Sequence, residues 1–192
     1  KDTSKVTGSI DLMLSYNANP FFQFIQDSAK VKGKIKGITS SGITEFQFSR
    51  LSEVKSSATI KFEKSDPFKI YANYLFWILP ECRKGINEWH ISYLPDKRET
   101  PFELPHLIHE KYEYLLNIPE DFELVTPFSN TEIKNNLGMV KITIDKAKDG
   151  ILVTREIKLK EKVIPVEDYP VFKEMFDAWL NKQSKELVIS EK

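Results

Sequence analysis

The sequence predicts an all-β fold, mainly an antiparallel β-sandwich, with one late amphipathic helix near 168–182. Three observations carry that expectation. In 139–160, Val140, Ile142 and Ile144 alternate with Lys141, Thr143 and Asp145, and after Asp149-Gly150 the residues Ile151, Val153, Ile157 and Leu159 alternate with Leu152, Thr154, Glu156, Lys158 and Lys160. Side chains along a strand point to opposite faces in turn, so period 2 gathers an apolar face, and Asp-Gly between two such runs signals a hairpin. A second observation is the series of short alternating runs, set off by Pro, Gly and Asn, that precedes this hairpin. The third is a change of period after Pro165. There Phe172, Met175, Phe176, Trp179 and Leu180 recur at i, i+3, i+4, i+7 and i+8, the stripe of an amphipathic helix.

The elements follow in order. Residues 8–16 alternate, with Ile10, Leu12, Leu14 and Tyr16 on one side, and read as a strand. Asn17-Ala-Asn-Pro20 is a turn signal, and 21–27 is apolar without a clear period. Lys30, Lys32, Lys34 and Lys36 alternate with Val31, Gly33, Ile35 and Gly37. In a strand the four amines would share one face, which suits either a phosphate-tracking stripe or an edge strand protected by Lys. Without interleaved aromatics the edge reading is the stronger.

Residues 43–48 and 58–63 read as strands, with Phe46 and Phe48 on one face of the first and Ala58, Ile60 and Phe62 on one face of the second. The nearly continuous apolar run 70–79 suits a strand buried on both sides, ended by Pro80. Trp89, Ile91 and Tyr93 alternate with His90, Ser92 and Leu94, and Pro95, Pro101 and Pro105 then interrupt a charged connection, 95–109. Tyr112, Tyr114, Leu116 and Ile118 mark a strand ended by Pro119, 122–125 a short one, and Leu187-Val-Ile189 a last one. Glu167, Asp168 and Pro170 stand where a helix N-terminus favours acids and tolerates proline.

With 192 residues and 41% hydrophobic content, we expect one β-sandwich domain over 1–192. If the chain divides, a sub-boundary in 80–109 would separate a β-rich first half, 1–79, from a second half, 93–192. A single domain of this size buries about 70% of its unfolded surface and needs no disulfide or metal to hold it. Lys and Arg total 28 and Asp and Glu total 28, a balance that argues against nucleic acid or an anionic membrane as partner. No apolar run approaches the roughly 20 residues of a membrane span. The chain begins Lys1-Asp2-Thr3 without Met, so we expect a mature product or a piece of something longer.

No residue pattern points firmly to chemistry, and we assign no catalytic residue, metal ligand or cofactor. Cys82 is the only cysteine. A small cysteine hydrolase would use Cys82 as nucleophile, Arg83 and Lys84 to lower its pKa, and His90, His106 or His109 as base. The simpler reading is a small side chain in a loop. His106 and His109 at i, i+3 lack the paired spacing of a structural zinc site. Trp77, Trp89 and Tyr93 could form an aromatic platform for a sugar ring in a glycan- or cell-wall-binding module, although aromatics in alternating runs are more often core. Arg155 occupies the same face as Val153 and Ile157. A charge on an apolar face is costly unless paired, so either the face meets its edge at Arg155 or Arg155 reaches a partner such as Glu167 or Asp168; the stronger reading makes Arg155 a candidate for a structural ion pair.

Five stretches in 93–190 together resemble a known family. They are Tyr93-Leu-Pro-Asp-Lys-Arg-Glu-Thr-Pro101, Glu110-Lys-Tyr-Glu-Tyr114 through Ile118-Pro119, Asn135-Asn-Leu-Gly138, Thr154-Arg-Glu-Ile157, and 169–176. They resemble the C-terminal β-domain of unknown function that follows the transglutaminase-like module in large exported proteins of Gram-negative bacteria. The likeness covers the second half of the chain; the first half matches only in its run of strands. The transglutaminase-like module of such proteins carries a Cys-His-Asp triad. No such motif stands here and Cys82 does not match its setting, so no catalytic residue carries over. The resemblance implies a non-catalytic accessory module, periplasmic or at the cell surface, whose partner is the catalytic module of the same parent chain, or another protein or a glycan.

Overall fold

The computed structural model describes residues 5–15, 42–50, 55–65, 68–81, 85–91, 93–148 and 150–192. The Lys30 to Lys36 stripe, the apolar segment 21–27, Asp149 and Cys82 lie outside them. The architecture is mostly antiparallel sheet with an α-helix near the C-terminus, as the alternation and the late change of period predict. The chain forms two compact units, one of Lys1–Lys69 with Pro80–Trp89 and the other of Ile70–Leu79 with His90–Lys192.

The first unit holds a three-stranded antiparallel sheet. Its strands are β1 (Lys5–Ser15), β2 (Gly42–Arg50) and β3 (Lys55–Ser65), in the order β1-β3-β2. Phe46 pairs with Ile60 and Phe48 with Ala58, the parity the alternation requires, and Ile60 is fully buried. Two irregularities between Ile43 and Glu45 and between Phe48 and Arg50 break the β2–β3 ladder. A 3-10 turn, Gly85–Trp89, buries Ile86. The alternation at Trp89, Ile91 and Tyr93 does not become a strand among the described residues: Trp89 ends this turn and His90 takes φ 53.

The run 70–79 also differs from its reading as one strand buried on both sides. It enters a hairpin of β4 (Phe68–Tyr71) and β5 (Tyr74–Ile78), turned by Ala72 at φ 50. Ile70, Tyr71, Tyr74 and Ile78 are exposed. The apolar run reports strand propensity in both arms, and the turn lacks the glycine that would have announced it.

The second unit is built on the sheet β7-β11-β10-β9. Its strands are β7 (His109–Leu116), β9 (Ser129–Lys134), β10 (Gly138–Ala147) and β11 (Gly150–Leu159), beside the short β6 (Phe102–Glu103) and β8 (Phe122–Leu124). The predicted hairpin is β10–β11, in register from Gly138↔Leu159 to Ala147↔Gly150. Val140, Ile142, Ile144, Val153, Ile157 and Leu159 are buried, as their parity demands. Two glycines allow close backbone approach in this sheet, Gly138 between β10 and β11 and Gly150 between β11 and β7. Gly138 (φ +153) and Gly150 (φ +144) would place a Cβ 1.9 Å from the Lys158 carbonyl oxygen and 2.1 Å from the Leu116 carbonyl oxygen.

After β11 come β12 (Val163–Ile164), which pairs with β6, and α1 (Tyr169–Leu180). The helix packs on β10 and buries Tyr169, Phe172, Met175, Phe176 and Trp179, the stripe the 3.6 period predicts. A 3-10 turn, Lys182–Lys185, leads to β13 (Glu186–Glu191). In the order β4-β5-β13-β8, β13 joins the hairpin to the rest of the unit. Leu187 lies opposite Trp77, and Ile189 opposite Leu75 and Leu124.

Candidate functional site

In the second unit, polar side chains meet both ends of α1. At the C-terminal end, Arg155 rises from β11 with 0% exposure. Its Nη2 donates to the Trp179 carbonyl at 2.7 Å, and its guanidinium carbon lies 4.4 Å from the centre of the Trp179 ring. The last carbonyls of a helix have no intrahelical donor, and together they form its negative end. A cation delivered there by a neighbouring strand satisfies one carbonyl and meets a favourable dipole. Glu167 and Asp168, the acids proposed for Arg155, precede the first turn of α1 and so stand at its opposite end.

Tyr112, opposite Arg155 in the β7–β11 ladder, packs its ring 6.1 Å from that of Trp179. Its hydroxyl donates to Glu110 Oε2 at 3.1 Å. Lys185 completes the neighbourhood, with its carbonyl accepting from the Leu79 N–H at 2.9 Å. Burial lowers the Arg155 pKa to about 10. Burial, and then the nearby positive charge of Arg155, bring the Lys185 amine down to about 8, while Glu110 acts in the opposite direction. Arg155, with no exposed surface, thus links β11 to the C-terminal end of α1.

At the N-terminal end, the segment that leads to β6 is strapped over α1. The Tyr169 hydroxyl donates to the Pro95 carbonyl at 2.7 Å. Arg98 lies over the rings of Phe102 and Tyr169, 5.1 and 5.8 Å from their centres. Lys173 pairs with Asp177 at 2.6 Å and approaches Asp96 at 3.7 Å. Beneath them Phe102, Phe172 and Phe176 form a chain of ring contacts. On the side toward β10, Asn135 accepts the Leu137 and Gly138 N–H groups at 2.9 and 3.2 Å, and its Nδ2 donates to Met175 Sδ at 3.2 Å. One side chain thus both shapes the β9–β10 turn and ties it to the helix.

The other candidates are dispersed. Trp77 is 6% exposed and faces the core side of β5, whereas Tyr93 is 72% exposed. Trp89 ends the 3-10 turn of the first unit, half-buried. His109 Nε2 lies 2.9 Å from Glu156 Oε1 at the surface. Among the described residues, no group of three or more His, Cys, Asp or Glu side chains could hold a metal ion, and no helix is long and apolar enough to cross a membrane. Sequence reasoning found Arg155 because a charge interrupts an apolar parity. It passed over Lys185 and Tyr169, whose roles depend on long-range packing that no local pattern announces.

Residues 72–189 match a family described as a domain of unknown function with solved structure, DUF3858. The fold resembles a crystal structure from Parabacteroides distasonis described as a "putative protease", with 30% identity and a TM-score of 0.57. The match covers 65% of this chain and 24% of that one, so the chain corresponds to about a quarter of that protein's length. No curated protein matches the sequence.

Proposed function

The chain belongs to the DUF3858 family of domains of unknown function, and on that premise we propose that it is a non-catalytic accessory module of a larger, protease-related protein. Its task is to position the catalytic module of that protein or to bind a partner. The observation that carries this reading is the recurrence of its fold as a minor part of a longer chain. The site chemistry supports it: Arg155, Tyr169 and Asn135 direct their polar groups to carbonyls, N–H groups or sulfur of the same fold. The parent would be exported, with this module following a transglutaminase-like module that holds the catalytic residues.

The test compares the isolated chain with the longer protein on casein and on fluorogenic peptides. We expect no turnover from the isolated chain and an unchanged kcat/KM for the longer protein carrying Cys82→Ala. Peptide hydrolysis by the isolated chain, abolished in a folded Cys82→Ala variant, would replace the accessory reading with that of a small cysteine hydrolase.

A further inference from the structure

One face of the sheet formed by β5, β13 and β8 carries Trp77, Leu187 and Ile189 into the core. The opposite face carries an apolar centre, with Ser190 within it and Glu186 and Glu123 at its ends. Residues directly opposite in an antiparallel pair share a face, so the register Tyr74↔Ser190, Phe76↔Val188 and Ile78↔Glu186 places Tyr74, Phe76, Ile78 and Val188 together. Tyr74 is 43% exposed and Ile78 47%, while Phe76 and Val188 between them are half-buried. Val125, whose N–H donates to the Val188 carbonyl at 2.8 Å, is 44% exposed beside them. Single exposed apolar residues need no explanation, but a contiguous apolar patch on a sheet face marks an interaction surface.

We infer that this face is the seat of the catalytic module of the longer protein, and that the surface it receives is apolar at the centre with Lys or Arg at the rim. The inference rests on the accessory-module reading. Two observations select this occupant. The fold recurs as 24% of a longer chain, so a related domain shares its polypeptide with a much larger body that lies within reach of such a patch, and exposed apolar patches mark interaction surfaces. The second observation is charge. Glu186 lies opposite Ile78 at one end of the face, and Glu123 lies opposite Ser190 at the other. In a two-fold contact between copies, each patch meets itself. An overlay that brings these two ends together sets acid against acid, which disfavours a second copy in that arrangement. A partner with a basic rim meets both ends favourably.

Hydroxyl-radical footprinting with mass spectrometry tests this on chain 1–192 and on the longer protein. We expect Tyr74 to be modified at least 5-fold more slowly in the longer protein, with Tyr93 unchanged. An Ile78→Glu, Val125→Glu double variant of the longer protein should restore Tyr74 modification, while Leu115→Glu on β7 should not. Circular dichroism of each variant confirms that it is folded. Equal Tyr74 modification in the two proteins would overturn the inference and leave the accessory reading standing. Concentration-dependent protection of Tyr74 in chain 1–192 would also overturn it, in favour of a second copy. Failure of the accessory reading is read separately, from peptidase activity of the isolated chain.

Discussion

Arg155 shows why a fully buried cation can be tolerated. Desolvating it costs several kcal/mol. Against that stand a charge-assisted hydrogen bond to the Trp179 carbonyl, worth about 1.5–3 kcal/mol, and a desolvated contact with the indole face, worth about 2 kcal/mol. Replacing Arg155 with Met keeps the bulk but leaves a helix-end carbonyl without this donor. We expect a net loss of about 1–3 kcal/mol, read from the urea midpoint at constant m. The same variant should raise the Lys185 pKa part of the way back, because Arg155 is the second cause of its depression and burial the first. NMR of isotopically labelled lysine side chains would show the shift. Lys185 also sets a pH signature. The folded chain releases this proton near pH 8 and the unfolded chain near 10.5. Between those values the unfolded state holds more protons, so this lysine makes stability rise with pH across that window. Lys185→Gln should remove this contribution, and urea titrations at pH 7.5, 9 and 10.5 should show stability rising less with pH than in the parent chain; an equal rise in both would reject the assignment.

At the scale of elements, the sheet β7-β11-β10 depends on close backbone approach at two glycines, Gly138 against β11 and Gly150 against β7. Gly150→Ala would bring a Cβ to 2.1 Å from a backbone oxygen of β7, at a φ that side-chain-bearing residues rarely adopt. We expect a loss of more than about 2 kcal/mol, measured by thermal and denaturant unfolding. The strap over α1 should be gentler. Tyr169→Phe keeps the ring stack and removes only the hydroxyl bond to Pro95, so about 1 kcal/mol should be lost, with faster hydrogen exchange confined to the segment before β6. These elements differ in how legible they were. The β10–β11 hairpin and α1 could be read because burial on one face imposes a period, and Val140, Ile142, Phe172 and Phe176 obey it. Strand β9 was not read: Ser129, Asn130, Thr131 and Glu132 are all exposed, so no apolar period marks it, and its ladder to β10 is what holds it. The β4–β5 hairpin was hidden for the opposite reason, since both arms are apolar and Ala72 gives no warning of its positive φ. Of the candidate site, Arg155 was legible from parity alone. Its contact with the end of α1 was not, because 24 residues separate Arg155 from Trp179.

For the whole molecule, the sheet order decides where the chain can be divided. Strand β13, at the C-terminus, lies between β5 and β8, so the second unit needs residues that precede the Pro-rich connection by sequence. Trp77 sits opposite Leu187 on β13 and is almost fully buried. A cut anywhere in 80–109 removes Trp77 and Leu75 from the C-terminal fragment and strips β13 of its longer partner. Losing a buried Trp alone costs about 3–5 kcal/mol, and a domain's entire stability is about 5–15 kcal/mol. A fragment of 90–192 should therefore lack cooperative unfolding and show poorly dispersed amide resonances. A fragment of 68–192 keeps β4 and β5 and should melt cooperatively with a dispersed spectrum. The family match agrees with that division, since it begins at residue 72, inside the β4–β5 turn, and not after the connection. Equal folding of both fragments would mean that β13 can stand on β8 alone, a pairing of only three residue pairs, Ile189↔Leu124, Ser190↔Glu123 and Glu191↔Phe122. So short a ladder leaves Leu187 and Val188 without a partner strand on the side β5 now occupies, and it is on those two residues that the difference between the fragments should be largest.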